Sequence, residues 1–354
     1  MTDETRHIIL KIGKKVLWLF LLLVVLDIIY RFTLYPRDLE RNCTLAEYSK
    51  IPVRDTADII YLGESSNHSF GPADTDKRSI ATMIGDLMPG HKMGSISKGA
   101  VHAGIYYDIL RNIPRESPVK TVIVTVNMRS FSSEWIYSNL EQALQKEQIM
   151  MKKAPALYKR MLLAFKAYAH WSEGERSNLV RKGLKRQTFK LPHPFPYKNA
   201  SQWDRATAGN CQLYNGKHAS ADTIELTCHY IKCFAYQLDD KNPRIRDLDR
   251  IARLCQRRGW TLVYNILADN MDQIKTLAGP DLEYLMQNNA QYIVQRYEPK
   301  GVIVVNNQYS VRESDFFENF VTEHYSRRGR QAIAEKVVEQ LNKKQPYNST
   351  AGQP

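Results

Sequence analysis

The sequence predicts a layered α/β protein built around a parallel sheet, with an apolar N-terminal anchor. Three observations carry this. From about residue 58 onward, short apolar runs alternate with segments of helical periodicity, the pattern of strand–helix–strand units. Residues 119–127 (VKTVIVTVN) are β-branched and almost continuously apolar, as a strand buried on both faces must be. Residues 16–30 (VLWLFLLLVVLDIIY) form an apolar run next to Lys14 and Lys15.

The anchor comes first in the chain. Extending the run from Ile12 to Tyr35 reaches roughly the 20 residues a bilayer helix needs. This assigns residues 12–35 to a transmembrane helix behind a cytoplasmic N-terminus at 1–15. Asp27 is its weak point, because a carboxylate is costly in hydrocarbon. A cleaved signal peptide is the rival reading, but no small-x-small cleavage site follows Leu26. Arg6, Lys11, Lys14 and Lys15 precede the run and favour a cytoplasmic N-terminus, although Arg31, Arg37 and Arg41 follow it. On this reading the main domain lies outside the cytoplasm.

Residues 36–56 read as a polar connector, and 57–343 as the α/β domain. Its first strand is 58–63. Residues 74–88 have helical spacing, with Ile80, Met83, Ile84 and Leu87 on one face, and Pro89-Gly90 closes them. A strand at 92–97, a helix at 101–113 and the strand at 119–127 continue the alternation. An insertion at 132–222 interrupts it: two or three basic amphipathic helices within 137–185, then a Pro-, Asn- and Gly-containing loop at 190–222. Helices at 223–238 and 242–258, a strand at 260–267, a helix at 280–296, a strand at 301–306 and a last helix from Gly329 to Lys343 complete the domain. Residues 344–354 read as a disordered tail.

Composition narrows the function classes. The 43% hydrophobic content of the 354 residues suffices for a core, and the net charge of +13 suggests anionic surroundings. The basic residues are spread along the chain without any zinc-finger, RNA-recognition or basic-zipper pattern, so a membrane surface fits better than nucleic acid. The five cysteines (Cys43, Cys211, Cys228, Cys233, Cys255) lack metal-ligand spacing with histidines nearby, so a zinc site is not expected; the acyl chemistry read below implies no metal or organic cofactor. In an oxidising compartment one or two disulfides are open to them, within Cys211, Cys228 and Cys233.

The strand ends hold the chemistry. The first runs into Gly63-Glu64-Ser65-Ser66, the second into Ser97-Lys98-Gly99, the third into Asn127-Met128-Arg129; Glu323-His324 precedes the last helix. Each has a plain reading: turn serine, helix-capping histidine, strand-end asparagine, solvated arginine at 129 (against one that binds an anionic substrate group), turn-capping Glu64. In a doubly wound sheet, however, the carboxyl ends of the strands share one edge. A hydroxyl, an imidazole and oxyanion donors meeting there are the parts of an acyl-transfer site. Ser65 would attack, His324 would take its proton, and Gly99 N–H with Asn127 would hold the oxyanion.

The order Gly63-x-Ser65, Gly99, Asn127, His324 resembles the SGNH (GDSL-like) hydrolase superfamily over about residues 58–130 and 259–343. The resemblance implies a three-layer flavodoxin-like sheet and serine esterase chemistry. One anchor, an extracytoplasmic SGNH-like domain and a helical insertion are most similar to accessory proteins of envelope O-acylation, of the alginate-acetylation and teichoic-acid D-alanylation type. These imply a single-pass protein of the cytoplasmic (inner) membrane with a periplasmic domain. They also imply acyl transfer to an envelope glycan or lipid through an acyl-serine, beside a membrane-bound O-acyltransferase. Two features depart from the family. Its acid stands three residues before the histidine, or two in the alginate relatives, where this chain has Val321 and Thr322; Glu323 is the nearest candidate, followed by Glu318 and Asp315. The third block keeps only Asn127. A non-catalytic scaffold with the same fold is the alternative.

Overall fold

The computed structural model describes residues 2–71, 74–169, 171–317 and 322–344. The expected tail falls outside these from residue 345 on, as do Glu318 and Val321. The chain divides into two compact units: Met1–Tyr48 with Gln142–His170, and Ser49–Glu141 with Trp171–Pro354.

The second unit contains the sheet. Its strands are β1 (Ile59–Gly63), β2 (Met93–Ser97), β3 (Thr121–Val126), β4 (Thr261–Ile266) and β5 (Ile303–Asn306). All neighbours pair in parallel in the order β2-β1-β3-β4-β5, the doubly wound order whose switch point lies between β1 and β3. Every residue of β1 and β3 is buried, which explains their unbroken apolar runs. Because side chains alternate across a strand, Tyr61, Ile123 and Val263 share one face with Ile80 and Ile84 of the Ile80–Asp86 helix and Ile333 and Val337 of the Arg327–Lys344 helix. Each such side chain contributes about 1.5–3 kcal/mol by leaving water. On the other face, Tyr264 donates to Leu248 O in the Pro243–Arg258 helix at 2.6 Å and meets Tyr297 of the Pro280–Tyr297 helix edge-on. The Ala103–Asn112 helix packs against Pro243–Arg258. Helices therefore cover both faces.

Several boundaries differ from the sequence reading. The helix expected at 74–88 begins at Ile80, where Ser79 Oγ caps it by accepting from Thr82 N at 3.0 Å. The expected loop at 190–222 holds a helix, Ala200–Asn210, started by Asn199 Oδ1 accepting from Gln202 N at 3.0 Å. A further helix, Met271–Ala278, follows β4. The connector is helical over Tyr35–Asn42, Thr44–Tyr48 and Ile51–Arg54. All five cysteines are free, which corrects the disulfide expectation: Cys228 and Cys233 are buried within one helix and Cys211 is exposed.

In the first unit the Asp3–Thr33 helix is 31 residues long, and Tyr30 is the only residue it buries. No helix among the described residues is long and apolar enough to cross a membrane, where the sequence reading expected a span at 12–35. Its uncharged run, Val16–Leu26, lies between Lys15 and Asp27 and reaches only ~16 Å at 1.5 Å per residue, against the ~30 Å of a hydrocarbon core. Asp27 has a structural task there. Its Oδ1 accepts from Leu157 N at 2.6 Å, capping the Ala156–Ala164 helix, whose own N-cap, Pro155, makes no side-chain cap bond. Glu147 Oε2 similarly accepts from Thr44 Oγ1 and Leu45 N.

Candidate active site

Ser65 begins a short 3-10 helix, Ser65–His68, directly after β1. Three contacts of the fully buried Asn67 fix that turn. Its Nδ2 donates to Ser97 Oγ at 2.8 Å and Ser95 Oγ at 3.2 Å, and its Oδ1 accepts from Ala81 N at 2.9 Å. The end of β1 is thereby tied to β2 and to the following helix. Gly63 is required here, since a Cβ would lie 2.7 Å from Tyr61 Cε1 and 3.0 Å from Ser97 Oγ.

His324 is brought in from the far end of the chain. Its neighbour Tyr325 is fully buried, donates its hydroxyl to Ala268 O at 2.7 Å after β4, and its N–H reaches Ser69 Oγ at 3.3 Å. Arg330, also fully buried, ties this loop to the segment after Ser65 by donating to Tyr325 O, Ser69 O, Asp76 O and Arg78 O. The result is a 3.2 Å contact between His324 Nε2 and Ser65 Oγ across 259 positions of sequence. Burial holds the His324 imidazole below its ordinary value; the Glu323 carboxylate opposes this and the Arg129 charge adds to it. The ring is therefore neutral at physiological pH, the state a base needs.

The other expected residues are placed differently. Asn127 lines the same cavity, but its Nδ2 donates to Glu64 Oε1 at 2.5 Å and Glu323 Oε1 at 3.0 Å, and its Oδ1 accepts from Arg129 N at 2.9 Å. Both amide protons point to carboxyl groups, so this side chain is no free oxyanion donor. Gly99 is exposed and is not a cavity wall; Ala100, with φ 61°, is. Glu323 does not serve the imidazole: its carboxylate accepts from Arg129 Nη2, Asn127 Nδ2 and Thr322 Oγ1. Among the described residues no carboxylate hydrogen-bonds or ion-pairs with His324. Asp315 is taken up by Ser326 Oγ and Arg328 Nε.

Around these groups lies a cavity of about 360 Å³, walled by Glu64, Ser65, Val101, His102, Asn127, Arg129, Trp135, Glu141, His229, Arg244 and His324 among others. Two buried charge clusters frame it. In one, Glu64, Asp269 and Glu323 gather near Arg129. Burial first, and the Glu323 charge second, push Glu64 up to about 8 and Asp269 up to about 8. In the other, Arg244 donates to Glu141 and contacts His102 Nδ1 at 2.8 Å. Burial and the Arg244 charge lower His102; against its own burial, His102 and Arg244 hold the Glu141 carboxyl below its usual range.

Sequence reasoning missed Glu141, Arg244 and Asp269 as cavity or network residues, took Glu64 for a turn cap, and preferred a solvated Arg129 over one that binds an anionic substrate group. Only Arg129 and Glu64 carried a local signal, their places at strand ends. Among the described residues no group of three or more metal-binding side chains occurs. Comparison with known proteins gave no matching family model and no similar curated protein.

Proposed function

We propose that this protein is a membrane-anchored, extracytoplasmic serine esterase or O-acyltransferase of SGNH-like architecture, acting on a cell-envelope glycan or lipid. The observation that carries the reading is the Ser65 Oγ to His324 Nε2 contact at 3.2 Å, at the carboxyl edge of a parallel sheet and on the wall of a cavity. Ser65 attacks an acyl carbonyl while His324 takes its proton. The proton passes to the departing alkoxide, and an acceptor hydroxyl or water then releases the acyl group from Ser65. The doubly wound strand order agrees with the superfamily resemblance. Attachment to the membrane rests on the exposed apolar side chains of the Asp3–Thr33 helix and the lysines that precede them. A membrane-bound O-acyltransferase as partner belongs to the same proposal.

The test is turnover of p-nitrophenyl acetate together with acetylation of Ser65. Activity absent from both Ser65→Ala and His324→Ala supports the reading; full activity in either variant overturns it. One observation favours the second reading, a non-catalytic scaffold: Glu323 faces Arg129 rather than His324. Wild-type protein that neither turns over nor is acetylated favours the scaffold.

A further inference from the structure

Resting on the Ser65–His324 reading, we infer that Arg129 is the oxyanion-binding residue of this site and that the acyl group entering the cavity is uncharged. Asn127, at the position where that role was expected, has both amide protons on carboxyl groups. Two residues on, Arg129 is only 6% exposed and lines the same cavity as Ser65 and His324. Its guanidinium plane is fixed from two sides: Nη2 donates to Glu323 Oε1, and Cζ lies 4.1 Å from the centre of the Trp135 ring. Its Nε is buried without a hydrogen-bond partner, and Nη1 has none among the described residues. A buried cationic group with unused donors on a cavity wall costs free energy. That cost is recovered when charge develops beside it in the transition state.

The charge balance selects the ligand. Arg129 faces Glu323, and Arg244 faces Glu141. The remaining acid in the wall, Glu64, is held protonated at neutral pH by burial, and burial keeps His102 neutral. The charges of these two pairs cancel, so a permanently anionic group finds no unpaired arginine to meet it. A neutral ester carbonyl enters without that demand and becomes anionic only after attack. In that step Ser65 Oγ bonds to the carbonyl carbon and its proton moves to His324 Nε2. The carbonyl π pair moves onto oxygen, where the Arg129 guanidinium and the Ser65 N–H receive it. Collapse breaks the bond to the alkoxide, which takes the proton from His324.

The experiment measures second-order labelling of Ser65 by a fluorophosphonate, whose phosphoryl oxygen occupies the oxyanion position. Arg129→Gln and Arg129→Lys are compared with wild type. Loss of one oxyanion donor lowers the rate about 100- to 1,000-fold, and Arg129→Lys keeps the buried charge paired with Glu323 while losing the fork of donors. A fall of that size in Arg129→Lys with an unchanged melting transition supports the inference. Labelling of Arg129→Lys within about threefold of wild type overturns it, whether or not Arg129→Gln folds. Arg129→Lys that melts early and labels slowly, but regains the wild-type rate when stabilised by a lower temperature, also overturns it. Wild-type protein that is never labelled at Ser65 removes the underlying reading instead.

Discussion

Replacing Glu64 with glutamine tests the electrostatics of the site without changing its shape. In the folded protein the carboxyl is 4% exposed, accepts from Asn127, and is pushed from an ordinary 4.5 to about 8 by burial and then by the Glu323 charge. Between these two values the folded state holds a proton that the unfolded chain has released. The stabilisation from that proton is complete below pH 4.5, declines as pH rises, and is gone above about 8. At about 1.4 kcal/mol per unit, wild type loses at most about 5 kcal/mol across this window relative to a residue that does not titrate. Relaxation at the cavity wall reduces this to a few kcal/mol. Glutamine keeps an acceptor for Asn127 and cannot ionise. Urea unfolding of both proteins at pH 5, 7 and 9 is the assay. Glu64→Gln should gain on wild type steadily from pH 5 to pH 9. A difference that stays flat, or that moves against the variant, refutes the claim that Glu64 is neutral in the fold.

Other outcomes follow from the same geometry. Labelling of Ser65 should fall on the acid side only below pH 6.5, because His324 is lowered from that value, and again near pH 8 as Glu64 and Asp269 ionise; Glu64→Gln should weaken the alkaline limb. A pH-independent rate between 5 and 9 contradicts this. Gly63→Ala places a methyl 2.7 Å from Tyr61 and should cost about 1–3 kcal/mol in unfolding free energy, with slower Ser65 labelling. Unchanged stability would show that the turn has room. Leu22→Arg, at an exposed position of the Asp3–Thr33 helix, should weaken partition into anionic liposomes about 10- to 100-fold, since the leucine it removes contributes about 1.5–3 kcal/mol when it leaves water. Equal flotation of both proteins with the vesicles rules out this helix as the anchor.

The sheet was legible because its signal is local. All five strands were expected within two residues of where they lie, since β1 and β3 are buried throughout and β4 at all but its first residue, and so carry largely apolar runs. The Ser65–His324 meeting was legible for a related reason: parallel strands place their carboxyl ends on one edge, so residues remote in sequence share a site. Less visible were features decided by burial of polar groups. Arg129 reads as a surface residue until Trp135 and Glu323, from other segments, close over it. Glu64 reads as a turn cap, yet its acidic neighbours are Asp269, just past β4, and Glu323, ahead of the last helix. The Ala200–Asn210 helix was hidden because its polar composition offers little periodicity, and its start depends on the one cap at Asn199.

The most direct test of the central claim is peptide mapping of the fluorophosphonate adduct by mass spectrometry. The account predicts a single adduct on Ser65, absent from His324→Ala. Neighbouring Ser66 is fully buried with an unpartnered hydroxyl and should remain unmodified. An adduct on Ser66, or undiminished labelling of Ser65 in His324→Ala, would contradict it.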